Sequence, residues 1–319
     1  MNQSAAATVP WVSEGCFEDI DAQAAQYHGY DQQYQQLSPG RFEGRFRSYD
    51  LGAVIINLEM ANRELAATAA TPAGRFGACF LADSSPPCAL NATEFSHEHV
   101  VLSPAKRCVE GRMAEGVRIY CMDISEELFP DDEFRRLITG VRHDPARCGH
   151  LRDLVQTGLA TFHSLSSPRE YPAAVHSFSS SIADVLWQMS AGPGSEGEIP
   201  NRHGGSERAV RVFRRARDYI HHQLGDGISI VALCKRLGVS RRSLESAFHS
   251  VIGSGPGSYV RLLQLNRIRR DLTSSGCSHL SIGAIAARHG VWHLSRFSQY
   301  YRQMFGELPS QTRAHVHPA

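Results

Sequence analysis

The sequence lacks the features that would take a chain into or across a membrane. No apolar stretch reaches the roughly 18 residues that a membrane-spanning helix needs. The amino-terminal segment, MNQSAAATVPWVSEGCFED, has no basic residues ahead of an apolar run and no such run, so it does not look like a secretion signal. The 8 cysteines are scattered without a Cys-x-x-Cys pair, which argues against a zinc ribbon. These absences predict a cytoplasmic protein with reduced thiols.

Signatures of common catalytic sites are missing as well. The sequence has no Gly-x-Ser-x-Gly elbow and no phosphate-binding loop. Among the 16 histidines, His97 and His99 have the spacing at which a strand presents two metal ligands on one face, but the downstream glutamate that would complete such a site is absent. We therefore predict no catalytic residues, no metal site and no cofactor. The enzyme alternative is a barrel that modifies ketosugars or aldehydes.

Charge is divided unequally along the chain. Residues 206–319 hold 17 Lys and Arg against 6 Asp and Glu, a net charge of +11, whereas residues 1–205 hold 16 against 26, a net charge of −10. A basic domain gains affinity for nucleic acid by releasing counterions from the phosphate backbone, and an acidic domain does not. The charges predict a carboxyl-terminal domain that binds nucleic acid and an amino-terminal domain with another ligand.

A pattern of apolar residues and glycines occurs twice within residues 228–312. Each copy predicts a small helix, a glycine whose positive φ turns the chain, and a second helix with apolar residues four apart. The sequence therefore predicts two helix-turn-helix units joined by a long helix, in a domain of seven helices. The first copy carries Leu233, Gly238, Leu244, Phe248, Gly253 and Pro256, and the second carries Ile285, Gly290, Phe297, Tyr301, Gly306 and Pro309.

The second copy, IGAIAARHGVWHLSRFSQYYRQMFGELPS, resembles the DNA-binding domain of AraC-type transcriptional regulators, and the resemblance covers about the last third of the chain. It rests on the glycine turn, Phe297, Tyr301 and the run from Phe305 to Pro309. The resemblance implies that residues 207–319 bind double-stranded DNA and that an amino-terminal cupin-like β-barrel senses a small molecule. It also implies a homodimer that activates transcription through RNA polymerase, with no membrane partner.

Serines at the predicted helix starts locate the surfaces that would read DNA. Ser229, Ser240 and Ser281 occupy N-cap positions. The second helix of each unit is its reading helix. Because both reading helices belong to one rigid body, we expect them to enter successive major grooves roughly 10 bp apart. Arginine donates to guanine or to phosphate, so binding without sequence preference remains the alternative. The predicted DNA-binding residues are Ser240, Arg241, Arg242, Glu245, Trp292, His293, Ser295 and Arg296.

Short segments with β-branched or alternating residues lie between residues 41 and 125, and helical patterns follow from residue 129 to 190. The strand pattern fits several β folds, and the resemblance selects the cupin-like barrel. The helical stripes either pack on the barrel or form a dimer contact. Residues 191–206, rich in Gly, Ser and Pro, are the predicted linker, which leaves residues 1–190 for sensing and dimerisation. The predicted fold class is therefore α+β. The strand segments are RFEGRFRSY, AVIINLEMA, GACFLA, HVVLS and GVRIYCMDI, and the helical segments are PDDEFRRLITGV, CGHLRDLVQTGLATFHSL and PAAVHSFSSSIADVLWQMS.

Two arginines at the start of the barrel region suggest an anion site. In an extended strand Arg41 and Arg45 share one face while Phe42 and Phe46 take the other. Together with Asp83 and Ser85 further along the chain, they resemble the PilZ motif that binds cyclic di-GMP. Cys88 stands where that motif has a glycine. The competing interpretation is a small organic acid or amine inside the barrel. The predicted effector-binding residues are Arg41, Arg45, Asp83 and Ser85, and the predicted ligand is cyclic di-GMP.

Overall fold

The computed structural model describes residues 11–106, 108–129, 140–164, 170–191 and 205–316. A β-rich amino-terminal region with its own helices is followed by a helical carboxyl-terminal region, which confirms the α+β fold class. Most of the predicted linker, and nearly all of the first predicted helix after the barrel, lie outside the described residues. Within the described ranges no helix combines the length and the apolar character needed to cross a membrane.

Two antiparallel sheets face each other in the amino-terminal region. The larger has seven strands in the order β1-β3-β4-β11-β6-β9-β12, and the smaller has five in the order β2-β5-β10-β7-β8. The strands are β1 (Val12–Phe17), β2 (Asp31–Gln36), β3 (Gly44–Asp50), β4 (Val54–Ala61), β5 (Leu65–Ala70), β6 (Arg75–Leu81), β7 (Cys88–Leu90), β8 (Thr93–Phe95), β9 (His99–Ser103), β10 (Cys108–Met113), β11 (Val117–Ser125) and β12 (Gly140–His143).

Helices flank the sheets and make up the carboxyl-terminal region. The second and third confirm two of the predicted helical segments, and the last seven confirm the predicted seven-helix domain within residues 205–316. The helices are α1 (Ile20–Ala24), α2 (Pro145–His163), α3 (Pro172–Ala191), α4 (Gly205–Gln223), α5 (Ile230–Leu237), α6 (Arg241–Ile252), α7 (Pro256–Thr273), α8 (Ile282–Arg288), α9 (Leu294–Phe305) and α10 (Pro309–Val316).

The described strands form two separate sheets and not a closed barrel, so the predicted cupin-like barrel stays a prediction. Strand β2 lies at an edge of the smaller sheet, and α7 caps that edge where another strand would have to continue a barrel. The side chain of Asn266 accepts from the backbone N–H of Gln36 at 3.0 Å and donates to its carbonyl at 3.2 Å. The end of the predicted helix PDDEFRRLITGV is also different, since Gly140 and Val141 belong to β12, which pairs with β9.

Apolar side chains form four clusters that explain the packing. Helices α2 and α3 cover the outer face of the larger sheet, with Leu151 and Val155 meeting Ile182 and Leu186 in one cluster. A second cluster fills the space between the sheets. Each helix-turn-helix unit has a cluster of its own. The apolar stripes of α2 and α3 therefore pack on the sheet, and the predicted dimer contact stays a prediction.

Candidate DNA-binding surface and ligand cavity

The first helix-turn-helix unit is formed by α5 and α6. The hydroxyl of Ser229 accepts from the backbone N–H of Ala232 at 3.3 Å, and Gly238 ends α5 with φ of 65°. Ser240 then starts α6 by accepting from the N–H of Ser243 at 3.1 Å. Two of the predicted N-caps and the glycine turn are thus confirmed, since a left-handed residue at this position favours glycine.

The second unit, α8 and α9, follows the same plan with one difference. Ser281 accepts from the N–H of Ala284 at 3.1 Å, and Gly290 has φ of 74°. A β-carbon at Gly290 would lie 2.9 Å from the carbonyl oxygen of Leu224, so a side chain does not fit. At the start of α9 the N-cap residue His293 makes no capping hydrogen bond with its side chain. The turn is one residue longer than in the first unit, so Gly290 lies 52 residues after Gly238 whereas Phe297 lies 53 residues after Leu244.

The predicted DNA-reading residues lie on the surface. On α6, Arg241 and Arg242 are exposed, and Arg241 donates to the carboxylate of Glu245 one turn away at 2.8 Å. In the second unit Arg296 is exposed and the indole of Trp292 is 73% exposed. The opposite faces are buried, as the predicted spacing requires: Leu244, Phe248, Phe297 and Tyr301 are each at most 2% exposed.

Helix α7 joins the two units into one body. Its first half places Tyr259 and Leu263 in the core of the first unit. Its second half places Leu265 and Ile268 in the core of the second. Because both reading helices pack on this one helix, their separation is fixed, as a protein that contacts two successive grooves requires.

Replacing Ser240 by alanine is expected to lower the free energy of unfolding by about 0.5–2 kcal/mol, because the N–H of Ser243 loses its acceptor. Ser281→Ala should have a similar effect at α8. Ser246→Ala, on the exposed side of α6, is the control and should change stability by less than about 0.5 kcal/mol. Chemical denaturation measures all three, and equal values would contradict the capping role.

A cavity of about 100 Å³ lies between the two sheets. Most of its wall is apolar or small, with Ala67, Ala69, Val101 and Ile119 among the lining residues. One side is polar and carries tyrosines, a glutamine and a carboxylate. These polar lining residues are Tyr27, Tyr30, Gln32, Tyr34 and Glu59.

Glu59 is the centre of the polar side. Its carboxylate accepts from the Gln23 amide at 2.7 Å, from the Tyr27 hydroxyl at 2.9 Å and from the Tyr34 hydroxyl at 2.8 Å. The residue is 1% exposed, and burial raises the pKa of Glu59 above its ordinary value of 4.5 against the opposing effect of these hydrogen bonds. Glu59 is not among the residues that the sequence predicts for the site. Its signal was a single carboxylate among the apolar residues of AVIINLEMA.

The predicted effector-binding arginines lie outside this cavity. Arg41 and Arg45 are exposed beside an open groove of about 560 Å³, and Phe42 and Phe46 are buried on the other face, which confirms the predicted alternation. The nearest carboxylate oxygen of Glu18 lies 3.4 Å from the Arg41 guanidinium.

Asp83 and Ser85 follow β6. In the larger sheet β6 is separated from β3, the strand of Arg45, by β4 and β11. The carboxylate of Asp83 lies 3.1 Å from the guanidinium of Arg152, and the hydroxyl of Ser85 accepts from the N–H of Arg118 at 3.0 Å. Arg118 also lines the groove beside Arg45. The structure thus places the four predicted effector residues along one end of the larger sheet without a direct contact between the two pairs among the described interactions.

Strand β2 connects the cavity to the helical region. The Tyr34 hydroxyl bonds to Glu59 inside the cavity, while the Tyr34 carbonyl accepts from the guanidinium of Arg270 on α7. Arg270 also donates to Asp21 at 2.6 Å. Two residues after Tyr34, the Gln36 side chain donates to the carbonyl of Met304 at the end of α9 at 3.1 Å.

A second junction joins β10 to α4. The carboxylate of Glu110 is 5% exposed, accepts from the Thr68 hydroxyl at 3.0 Å and pairs with the guanidinium of Arg217. The Nε of Arg214 lies 3.6 Å from the same carboxylate. The predicted charge difference between the two halves of the chain is therefore used, in part, to hold them together.

Residues 233–315 match a protein family described as a helix-turn-helix domain. The same part of the chain is similar to a XylDLEGF operon transcriptional activator of Pseudomonas putida, with 38% identity over 100 residues that cover 31% of each chain. A probable thc operon regulatory protein of Rhodococcus erythropolis is 29% identical over 100 residues, 31% of this chain and 30% of that protein. The match thus spans about a third of the length of these curated relatives.

The fold is also similar to the crystal structure of the AraC-like transcriptional activator CuxR. The two chains share 17% identity, with a TM-score of 0.44, over 79% of this chain and 94% of that one.

Proposed function

We propose that this chain, whose carboxyl-terminal region is a helix-turn-helix domain of the AraC type, is a DNA-binding transcription regulator controlled by a small molecule. The observation that carries the proposal is the rigid pair of reading helices, each with an exposed arginine, on a region of net charge +11. Dimerisation and contact with RNA polymerase belong to the same proposal. A protein that reads two grooves from one subunit would place a second copy on a second half-site.

The cavity between the sheets is the effector site that the geometry supports best. It is concave, mostly apolar, and has a few polar groups converging on one side, which is the usual composition of a small-molecule site. Strand β2 carries Tyr34 and Gln32 at the cavity and Gln36 at α7 and α9. A ligand that binds better to one position of β2 would shift the position of the reading helices by the same free energy difference.

Cyclic di-GMP at the arginine groove is the second candidate. Arg45 and Arg118 line an open groove large enough for a nucleotide, and guanidinium groups suit phosphate and guanine edges. Glu18 and Glu43 line the same groove, and their negative charges would repel a bound anion. The cavity therefore ranks ahead of the groove.

Arg242→Ala and Arg296→Ala are each expected to weaken binding to the operator by about 1–3 kcal/mol and to weaken binding to random duplex much less, because a contact to a base edge is lost only at the operator. The operator is first selected from a random duplex pool with the full-length protein, and affinities are then measured by fluorescence anisotropy. Arg211→Ala on α4, whose side chain is 68% exposed and 3.5 Å from Glu207, is the control. Equal losses on both duplexes would favour non-specific nucleic-acid binding.

Filling the cavity is expected to abolish the response to an effector without removing DNA binding. A panel of small monocarboxylic acids, primary amines and cyclic di-GMP is tested by thermal shift, where a ligand at 100 times its Kd stabilises the wild type by about 2.7 kcal/mol. Ala67→Leu should eliminate the shift given by an acid or amine, whereas Ala70→Leu, on the opposite side of β5, should retain it.

An effector that binds in the arginine groove is expected to give a different result with the same panel of ligands. If cyclic di-GMP is the effector, Arg45→Ala loses the shift and Ala67→Leu keeps it. Micromolar binding corresponds to about 8 kcal/mol and is measured by calorimetry. A shift that survives all three substitutions would place the effector at neither site.

A further inference from the structure

Two cysteines lie opposite each other on neighbouring strands at the wall of the cavity. Cys79 of β6 is the register partner of Cys121 of β11. In the same ladder, the N–H of Ala82 donates to the carbonyl of Arg118 at 2.9 Å. Hydrogen-bonded and non-hydrogen-bonded pairs alternate along an antiparallel ladder. Ala82 and Arg118 form a hydrogen-bonded pair, and Cys79 and Cys121 lie three positions along the ladder from it. Because three is an odd number, Cys79 and Cys121 form a non-hydrogen-bonded pair.

This position has the geometry of a disulfide. The α-carbons of a non-hydrogen-bonded pair are about 4.5 Å apart, inside the range of about 4.4–6.8 Å that a disulfide spans. Both side chains pack with the cluster between the sheets. The register therefore permits a disulfide between the two strands.

A small molecule inside the cavity would reach both thiols. Cys79 and Cys121 both line it and are both partly exposed. A third cysteine, Cys88, also lines the cavity, but it is 2% exposed and its sulfur accepts from the N–H of Ala114 at 3.4 Å. The pair on β6 and β11 is therefore set apart by register as well as by access.

We propose that Cys79 and Cys121 form a reversible intrachain disulfide when a hydroperoxide enters the cavity. One thiolate attacks the peroxide oxygen, which breaks the O–O bond and gives a sulfenic acid and an alcohol or water. The other thiol attacks this sulfur, forms the S–S bond and releases water. In total two thiols are oxidised, and one peroxide is reduced to an alcohol and water.

The disulfide would change the polar wall of the cavity. Tyr27, which donates a hydrogen bond to Glu59, lines the same cavity as the two thiols. The interaction with the neighbouring Cys79 thiol, followed by burial, raises the pKa of the Cys121 thiol. The reaction should therefore accelerate as pH rises, because only the thiolate attacks the peroxide.

The test treats the full-length protein with tert-butyl hydroperoxide and maps its peptides by mass spectrometry without reduction. The expected product is a peptide pair joined through Cys79 and Cys121, lighter by two hydrogens and separated again by dithiothreitol. Cys88→Ser should retain the cross-link, and Cys79→Ser should eliminate it. The proposal fails if both thiols stay free while the exposed Cys16 and Cys108 are oxidised, or if Cys121 links to Cys88 instead.

Discussion

Glu59→Leu is expected to lower the free energy of unfolding by about 3 kcal/mol or more, since each buried donor left without an acceptor costs about 1–3 kcal/mol. Three donors lose an acceptor: the hydroxyls of Tyr27 and Tyr34, and the amide of Gln23, which keeps only its bond to the Met60 carbonyl. Tyr34 is fully buried and cannot turn to water without moving β2. Chemical denaturation of the full-length protein measures the loss.

Glu59→Gln is the matched control, because glutamine keeps an acceptor for the two tyrosines. The Oε1 atom of Gln23 has no hydrogen-bond partner and can accept from the new amide. We expect Glu59→Gln to lie much closer to the wild type than Glu59→Leu. Losses of equal size in the two variants would show that packing, and not the carboxylate, holds this wall of the cavity together.

The stabilities of the wild type and of Glu59→Gln should also depend differently on pH. Burial raises the pKa of Glu59 in the folded state above 4.5, so the protonated residue favours folding. That contribution is complete below the unfolded pKa and is lost as pH rises through the raised folded value. The stability of the wild type relative to Glu59→Gln should therefore fall as pH rises from about 4.5. A difference that stays constant with pH would contradict a raised pKa.

The helix-turn-helix units were predictable because their determinants are local. Gly238 and Gly290 mark turns that only a left-handed residue makes, and Ser240 and Ser281 supply caps within three residues of the N–H groups that they bind. The alternation of Arg and Phe in β3 was equally visible, since one face of the strand is buried and the other is exposed.

Strand β2 was not predictable, because its determinants are distant in the sequence. The segment DQQYQQ has little of the apolar alternation that marks a strand. Its edge is completed by Asn266, which lies 230 positions further along the chain. The Glu59 cluster likewise depends on residues 23 to 34, which reach the carboxylate only when the two sheets face each other. Arg41 and Arg45 share the face that the alternation predicts, but sequence does not reveal that Arg152 engages Asp83, and the cyclic di-GMP site stays a prediction.

Glu110→Ala is expected to lower the free energy of unfolding by about 3–5 kcal/mol, the range for breaking a buried ion pair from one side. Arg217, whose side chain is 17% exposed, would keep only the carboxylate of Asp218, and the Thr68 hydroxyl would lose its acceptor. Glu64→Ala is the control, since its ion pair with Arg112 at 3.3 Å lies in side chains that are 29% and 37% exposed. Such a pair contributes less than about 1 kcal/mol.

The Glu110 pair also tests whether the two halves of the chain unfold together. It joins β10 to α4, so its loss removes a bond between the β-rich and helical regions while α7 still holds β2 through Asn266. We expect differential scanning calorimetry to show one transition for the wild type and for Glu64→Ala, and two for Glu110→Ala. An effector in the cavity should then change the operator affinity of Glu110→Ala less than that of the wild type, because coupling between two sites requires an element that both of them bias. If Glu110→Ala and Glu64→Ala unfold alike, the buried pair is no stronger than a surface pair and does not couple the two regions.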